Sequence, residues 1–200
     1  MDAEVTHLRA DARENRDRIL RAARELFEER GLDVGMRAIA RRAEVGPATL
    51  YRRFPTRQAL TEAVFSGEMR TCEQIVIDAC ADPDPWRGFG MMLRTIIEVN
   101  ARNRGFVEAF LRADPSQEEI GTHRRELLRM LAGLMRRAQE QGEMREDATL
   151  ADLVLVISTG VAVPGTTTAP RGTEGRRGGA GQHPARRYAD LVADAFRAHG

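Results

Sequence analysis

The residues best suited to chemistry form a cluster of arginines in one short segment of the chain. Residues 35–57 hold six arginines and one acidic residue, whereas the whole 200-residue chain has a formal net charge of only +1. A basic patch on a nearly neutral protein indicates a polyanionic partner at one end of the molecule. The planar guanidinium group of arginine suits both phosphate oxygens and guanine edges.

The residue combinations that would indicate an enzyme cannot be assigned in this sequence. No His, Cys, Asp or Glu cluster has metal-ligand spacing, and no Ser-His-Asp set, Cys-His set, glycine-rich phosphate loop or catalytic carboxylate pair is recognised. We therefore predict no catalytic residues, metal or cofactor. Cys72 and Cys80 would lie about 12 Å apart along one helix, too far for a disulfide. We expect buried thiols, with a thiol sensor as the alternative.

The elements that must position the arginines are helices. Apolar residues recur at the helical spacing through nearly the whole chain, and no segment alternates as a strand would, which predicts an all-α fold of about nine helices. Thr56, Asp84 and Thr149 are predicted N-caps, and Gly31 is predicted to end the first helix. No apolar run approaches the ~20 residues of a membrane span. The polar N-terminus does not resemble a secretory signal, so we expect a cytoplasmic protein with no membrane partner.

The arginine cluster coincides with a helix-turn-helix pattern. A short helix, a tight turn and a second short helix follow one another between residues 35 and 57. Leu50 and Phe54 are four residues apart, so they share one face of the second helix and would join a small core. The exposed face, which would enter the major groove of double-stranded DNA, would then carry Pro47, Ala48, Tyr51 and Arg52.

The sequence around this motif resembles the N-terminal domain of the TetR family of transcription regulators. The resemblance is close over roughly residues 13–66, where the blocks A-x-x-L-F, I-A-x-x-A, T-L-Y-x-x-F and F-P-T-R occur in the expected order. The number of helices predicted after the motif is also similar. The resemblance implies a ligand-responsive regulator, most often a repressor that a small molecule releases from a palindromic operator.

The resemblance also implies DNA contacts for particular residues. Tyr51 and Arg57 would bind phosphates, while the start of the recognition helix and Arg52 would approach base edges or nearby backbone. Arg37 and the basic arm over residues 9–16 are weaker candidates. The predicted DNA-binding residues are Arg37, Gly46, Pro47, Ala48, Thr49, Tyr51, Arg52, Arg53 and Arg57.

Three positions depart from the family pattern. Gly35 replaces the Thr or Ser that usually caps the second helix, and it offers no side-chain oxygen. Glu44 replaces the usual turn glycine, and a left-handed backbone there would cost roughly 1 kcal/mol. Gly46-Pro47 replaces a polar pair, which leaves base recognition mainly to Thr49 and Arg52. Gly35 and Glu44 leave open an alternative function, a helical interaction module whose degenerate motif does not bind DNA.

The helices between residues 57 and 142 contain many aromatic and methionine side chains, which suit an irregular apolar pocket. An ordinary hydrophobic core is the alternative, and the resemblance favours a pocket for a small-molecule effector. The predicted ligand-binding residues are Phe65, Met69, Trp86, Phe89, Met92, Leu93, Ile96, Phe106, Phe110, His123, Leu127 and Met130. Arg94 and Asn100 are further candidates to orient a polar ligand group, unless they serve at the surface or as caps.

The last two predicted helices, near residues 149–163 and 186–198, are the most apolar late segments. The resemblance implies that they pair across a two-fold axis, giving a homodimer whose two recognition helices match a palindrome. The glycine- and proline-rich residues 164–185 predict a mobile loop between them. We therefore predict a helix-turn-helix DNA-binding domain over residues 1–57 and a helical ligand-binding and dimerisation domain over residues 58–200.

Overall fold

The fold is all-α, as the periodicity of the sequence predicts. The computed structural model describes residues 2–101, 103–113, 119–159 and 184–198, with side chains from residue 11 onward. Within these ranges the helices are α1 (Asp2–Arg30), α2 (Met36–Arg42), α3 (Pro47–Arg53), α4 (Arg57–Ala81), α5 (Pro85–Asn100), α6 (Arg104–Arg112), α7 (Glu119–Glu140), α8 (Leu150–Thr159) and α9 (Pro184–Phe196). None of these described helices is both long enough and apolar enough to cross a bilayer.

Helices α1, α2 and α3 enclose a small apolar core. Ile19, Ile39 and Leu50, one from each helix, are completely buried. Gly31 ends α1 as predicted, with a φ of +77° that favours glycine. Its N–H donates to the carbonyl of Phe27 at 3.0 Å, and the chain then turns into α2.

The turn between α2 and α3 is a left-handed helix end with a glutamate at the position where glycine is usual. Glu44 has a φ of +54°, as the departure from the family pattern suggested. The N–H of Val45 donates to the carbonyl of Ala40 at 3.0 Å, the long hydrogen bond of a Schellman motif. Arg18 of α1 donates to the carbonyls of Ala43 at 2.8 Å and Glu44 at 2.7 Å. The Arg18 guanidinium therefore ties the turn to α1.

Local capping signals fix where several later helices begin. The Thr56 hydroxyl accepts from the N–H of Ala59 at 3.0 Å, and the Asp84 carboxylate accepts from the N–H of Arg87 at 2.9 Å. Thr149 and Asp152 form the reciprocal hydrogen bonds of a capping box at the start of α8. These three predicted caps are confirmed, because each depends on residues close in sequence.

The bounds of the last helices differ from the prediction. Helix α9 begins at Pro184, two residues earlier than predicted, because proline is well suited to the first helical position. Residues 160–163 of the predicted α8 and residues 164–183 of the predicted mobile loop lie outside the described residues. The final two residues assigned to that loop, Pro184 and Ala185, belong to α9 instead.

Helix α5 lies close to the end of helix α4 at a glycine. A Cβ atom on Gly88 would lie 2.4 Å from the carbonyl oxygen of Ala79 and 3.1 Å from the Cβ of Asp82. Gly90, two residues further along the same helix, would place its Cβ 3.4 Å from the end of the Arg94 side chain. The close contact therefore depends on Gly88 and not on Gly90.

We predict that Gly88→Ala destabilises the fold, because a backbone oxygen cannot yield to the new methyl group. Overpacking of this kind costs typically about 1–3 kcal/mol. Gly90→Ala should be neutral or stabilising by up to about 1 kcal/mol, since alanine favours helix and Arg94 can move. Urea unfolding of both variants measures the difference, and equal midpoints for the two would contradict the close approach at Gly88.

We also predict that Glu44→Gly stabilises the protein by about 1 kcal/mol, because glycine carries no Cβ penalty at positive φ. Glu44→Ala removes the same charge while keeping a Cβ, so it should give no such gain. Urea unfolding of the two variants separates backbone strain from electrostatics. A similar gain in both variants would show that the carboxylate, rather than the backbone, limits stability.

Candidate nucleic-acid interface and internal cavity

Helix α3 has one buried side and one exposed side, in the predicted arrangement. Leu50 is fully buried and Phe54, just after the helix, is 4% exposed. The exposed positions are Pro47, Ala48, Tyr51, Arg52 and Arg53, with Tyr51 47% exposed, and Thr49 is half-buried. Proline at the first position and Gly46 before it begin the helix without a side-chain cap. An exposed helix face that carries an aromatic ring and cations can enter the major groove of DNA.

The arginines of the predicted DNA-binding set do not all face solvent. Arg37, Arg52 and Arg53 are exposed, and Arg52 donates from Nη2 to the Thr49 hydroxyl at 3.3 Å. That contact lies within one turn of α3 and holds the Arg52 side chain along the outer face. An exposed cation held in this way can meet a phosphate or a base edge without first leaving an internal partner.

Arg57 has a different environment. Its guanidinium is half-buried and donates to the backbone carbonyls of Leu32 and Val34. Arg57 thus fastens the α1–α2 connection to the start of α4. A phosphate contact from this side chain stays a prediction, but in the structure its two terminal nitrogens already have acceptors.

The basic N-terminal arm is helical, since α1 starts at Asp2. Arg9 lies where side chains are not described, and Arg13 is exposed. Arg16 lies over the Phe54 ring, with 5.7 Å between the guanidinium carbon and the ring centroid. This contact places a cation beside the end of α3, at the edge of the exposed face.

The helical domain contains an internal cavity of about 60 Å³. Helices α4 to α8 all contribute to its wall, which is almost entirely apolar. The lining residues are Cys72, Val76, Ile96, Asn100, Phe106, Val107, Phe110, Leu111, Leu127, Leu128, Leu131, Val154, Ile157 and Ser158. A wall drawn from five helices is the arrangement typical of a small-molecule site between helices.

Asn100 is the unusual residue of this wall. It ends α5, is 4% exposed, and its Oδ1 accepts no hydrogen bond from the described part of the protein. A buried acceptor without a partner costs about 1–3 kcal/mol. Such an atom requires a specific explanation, because nearly all buried polar groups in native proteins are hydrogen-bonded.

The remaining polar groups of the wall are already satisfied or neutral. The Ser158 hydroxyl donates to the carbonyl of Val154 at 2.5 Å. Burial, assisted by the nearby Glu68 carboxylate, raises the pKa of the Cys72 thiol to about 11. Burial also raises the pKa of Cys80, which lies two turns further along α4. Both cysteines are free thiols, and Cys72 remains protonated at neutral pH because its pKa is well above 7.

Four of the predicted ligand-binding residues line the cavity: Ile96, Phe106, Phe110 and Leu127. Others in that set fill the core beside it. Phe65 stacks on Phe27 of α1 with ring centroids 6.0 Å apart. Phe89 lies between Trp86 and Phe196, at centroid distances of 5.8 and 5.4 Å. Phe65, Trp86, Phe89, Met92 and Leu93 are therefore not among the residues that form the cavity wall.

The other predicted members lie at two surface grooves. Met69 and His123 line a groove near Arg16, where the His123 Nε2 lies 3.3 Å from the Met69 carbonyl oxygen. Met130 lines a separate groove beside Cys80. Arg94, a further candidate, is exposed and pairs with Asp190 of α9 at 2.7 Å. Among the described residues, no three His, Cys, Asp or Glu side chains converge as metal ligands would.

Most of the missed wall residues are ordinary aliphatic side chains. Cys72 and Val76 are four residues apart on α4, and Leu127 and Leu131 repeat that spacing on α7. The spacing shows that each pair shares a helix face, but it does not distinguish a cavity wall from a filled core. Asn100 is different, because the sequence already offered it as a candidate to orient a polar ligand group, and it does line the cavity.

Two family models match successive parts of the chain. Residues 19–64 match the family model of bacterial regulatory proteins of the tetR family. Residues 84–177 match the model of the C-terminal domain of SbtR-like transcriptional regulators. The first match covers α2, α3 and their neighbours, and the second covers much of the cavity wall.

Curated relatives are regulators as well. The HTH-type transcriptional regulator UidR of Escherichia coli K12 is 39% identical over 62 residues, 30% of this chain and only 32% of that relative. The HTH-type transcriptional repressor KstR of Mycolicibacterium smegmatis is 30% identical over 141 residues, 68% of each chain. The longer match therefore extends well beyond the helix-turn-helix.

Solved structures share the fold. The TetR transcriptional regulator SCO0520 from Streptomyces coelicolor is 30% identical, with 92% of this chain and 99% of that chain covered and a TM-score of 0.51. AibR, solved in complex with isovaleryl coenzyme A and operator DNA, is 16% identical, with 91% and 97% covered and a TM-score of 0.66, a likeness in fold alone. By the matched family models and the extended relatives, the chain belongs to the TetR family of transcription regulators and carries that family's helix-turn-helix DNA-binding domain.

Proposed function

We propose that this protein is a ligand-responsive repressor, which a small molecule releases from a palindromic operator in the cytoplasm. Residues 1–57 would bind DNA, and residues 58–200 would bind the effector and form a homodimer. The observation that carries the proposal is the combination of an exposed cationic face on α3 with an internal apolar cavity in the same chain. KstR, the extended relative, is itself a repressor.

The DNA-binding step uses α3 as the recognition helix. Tyr51 and Arg53 would contact phosphates, while Arg52 and Thr49 would reach base edges in the major groove. Pro47 and Ala48 would make apolar contacts with the groove. Exposure supports the choice of these residues, since those on the opposite side of α3 are buried in the domain core.

Dimer formation would use the outer faces of α8 and α9. Leu155 on α8 is 63% exposed and Leu191 on α9 is 58% exposed, and large exposed side chains on neighbouring apolar helices favour an interface. A two-fold pair would present two recognition helices, which a palindromic operator matches at half-sites about one helical turn or more apart.

Effector binding would act on DNA through α4, which is shared by both parts. The guanidinium of Arg24 on α1 pairs with Glu68 and donates to the Val64 carbonyl at 2.5 Å. Cys72, one turn beyond Glu68, lines the cavity. A ligand that fits the cavity better in one position of α4 would therefore favour that position, and the two recognition helices would move with it.

The alternative is a helical interaction module that does not bind DNA. Glu44 and Gly35 motivate it, since the first strains the turn and the second leaves α2 without a side-chain cap. The Arg18 contacts to the turn carbonyls offset the strain, and the α3 face remains exposed. The DNA-binding function is thus the better supported of the two.

We predict that the protein binds a palindromic site in the DNA upstream of its own gene, with an affinity that falls steeply as salt increases. Arginine contacts to phosphate release counterions, so log K should fall linearly with log salt. Arg52→Ala should weaken binding about tenfold or more, because a lost base contact costs about 1–3 kcal/mol. Fluorescence anisotropy with labelled duplex measures both effects.

The matched control is Arg136→Ala, which removes the same charge from an exposed position on α7 far along the chain from α3. Its affinity for the duplex should stay within about twofold of the unchanged protein, since long-range charge effects are screened. Equal losses in the two variants, or binding that does not depend on salt, would favour the interaction module over the regulator.

A further inference from the structure

The internal cavity offers a ligand one open hydrogen-bonding atom in an otherwise apolar wall. Asn100 Oδ1 lines the cavity and accepts no bond from any described residue. The side chain is 4% exposed, so bulk water does not serve it freely. A carboxamide oxygen is an acceptor only, so a molecule bound in the cavity would pair with Asn100 Oδ1 only through a hydrogen-bond donor of its own.

We propose that the cavity selects an uncharged, mainly apolar molecule that donates one hydroxyl or amide N–H to Asn100 Oδ1. The inference rests on the proposed function only in taking this cavity as the effector site. A molecule that carries acceptors alone would place lone pairs against lone pairs at Asn100. Such a molecule binds less tightly, because the buried acceptor stays unpaired.

The charge of the wall excludes ionised ligand groups. No Arg, Asp, Glu or His is among the fourteen described lining residues, and the Cys72 thiol is protonated. A carboxylate that entered this space would lose its hydration without gaining a counter-ion. Its charge would also face the partial negative charge of Oδ1, so an acid of the same carbon skeleton is rejected.

The size of the cavity sets which part of a molecule it holds. A volume of about 60 Å³ is well below the ~150 Å³ of a cavity that binds benzene. The cavity as it stands therefore holds only the hydroxyl-bearing end of a molecule, and the rest of that molecule extends outside it. Val107, Leu111 and Ser158 also line an outer groove, and Leu111 is 39% exposed. A longer ligand would extend past Leu111 into that groove.

The test compares three probes of one carbon skeleton size: 2-butanol, 2-butanone and butyrate. The alcohol carries a donor, the ketone of nearly the same shape carries only an acceptor, and butyrate carries a charge. Dissociation constants are measured by NMR titration of methyl resonances from the cavity wall. The full chain is used unchanged, as Asn100→Leu, and as Thr95→Val, a matched change on the exposed side of the same helix.

We expect the unchanged protein and Thr95→Val to bind 2-butanol at least tenfold more tightly than 2-butanone, with no binding of butyrate. Asn100→Leu should bind the alcohol and the ketone equally. Equal affinities for alcohol and ketone in the unchanged protein would overturn the proposal. Failure of all three probes to bind at 100-fold the concentration of protein sites, or a preference that survives in Asn100→Leu, would overturn it as well.

A second measurement needs no ligand. Leucine has nearly the shape of asparagine without the unpaired acceptor, so Asn100→Leu should raise the midpoint of thermal unfolding. A lower midpoint would show that Asn100 is bonded within the protein, and the donor requirement would then fail. Thr95→Val should leave the midpoint nearly unchanged, because the Thr95 hydroxyl is exposed and bonds only to its own helix at Met91.

The ligand class and the regulatory function are tested by separate measurements. Operator affinity, measured by anisotropy with and without 2-butanol, reports the regulatory function alone. Selective, Asn100-dependent binding of the alcohol without any effect on operator affinity supports the ligand class and contradicts regulation through this cavity. Operator binding that remains intact while the alcohol shows no preference over the ketone contradicts the ligand class and leaves the regulator in place.

Discussion

Hydrogen bonds from arginine side chains to backbone carbonyls tie helix ends and turns of this protein to neighbouring helices. Helix ends leave carbonyl groups without internal partners, and a guanidinium can satisfy two of them at once. The described bonds of this kind at helix ends and turns run from Arg18 to Ala43 and Glu44, from Arg57 to Leu32 and Val34, from Arg124 to Phe110 and Leu111, from Arg137 to Cys80, and from Arg145 to Ala195, while Arg24 donates to Val64 inside α4. The geometry of α3 depends on the first of them, because Arg18 supports the strained turn that aims this helix outward.

This use of arginine limits what the sequence could predict about the interface. The helix-turn-helix and the two-sided character of α3 were predictable, since Leu50 and Phe54 share a face at local spacing and Pro47 marks a helix start. The different environments of the Arg52 and Arg57 side chains were not predictable from the sequence. Both lie in blocks typical of the family, but one is exposed and the other reaches carbonyls more than twenty residues away. Only the tertiary packing determines that Arg52 stays available to DNA while Arg57 binds the α1–α2 connection.

The sequence could predict an apolar pocket among these helices, but not which residues line it. Phe89 and Phe106 are the same residue type in neighbouring amphipathic helices, yet Phe89 packs between aromatic rings while Phe106 lines the cavity. Periodicity identifies the buried face of each helix and says nothing about how completely the facing side chains fill the space. Helix α8 shows this most clearly, because Val154 and Ile157 complete the wall although nothing in their local sequence differs from a helix that packs tightly.

An imperfectly packed core beside the DNA-binding domain would suit the proposed regulation by a ligand. Glu68 and Cys72 lie one turn apart on α4, about 6 Å along the axis. The same turn of α4 therefore contacts Arg24 and forms part of the cavity wall. An orphan acceptor and an unfilled space lower the stability of the helical domain, whereas a bound molecule that filled both would restore it. The free energy gained on binding would then depend on the position of α4, which is the differential affinity that a ligand needs in order to shift one conformation over another.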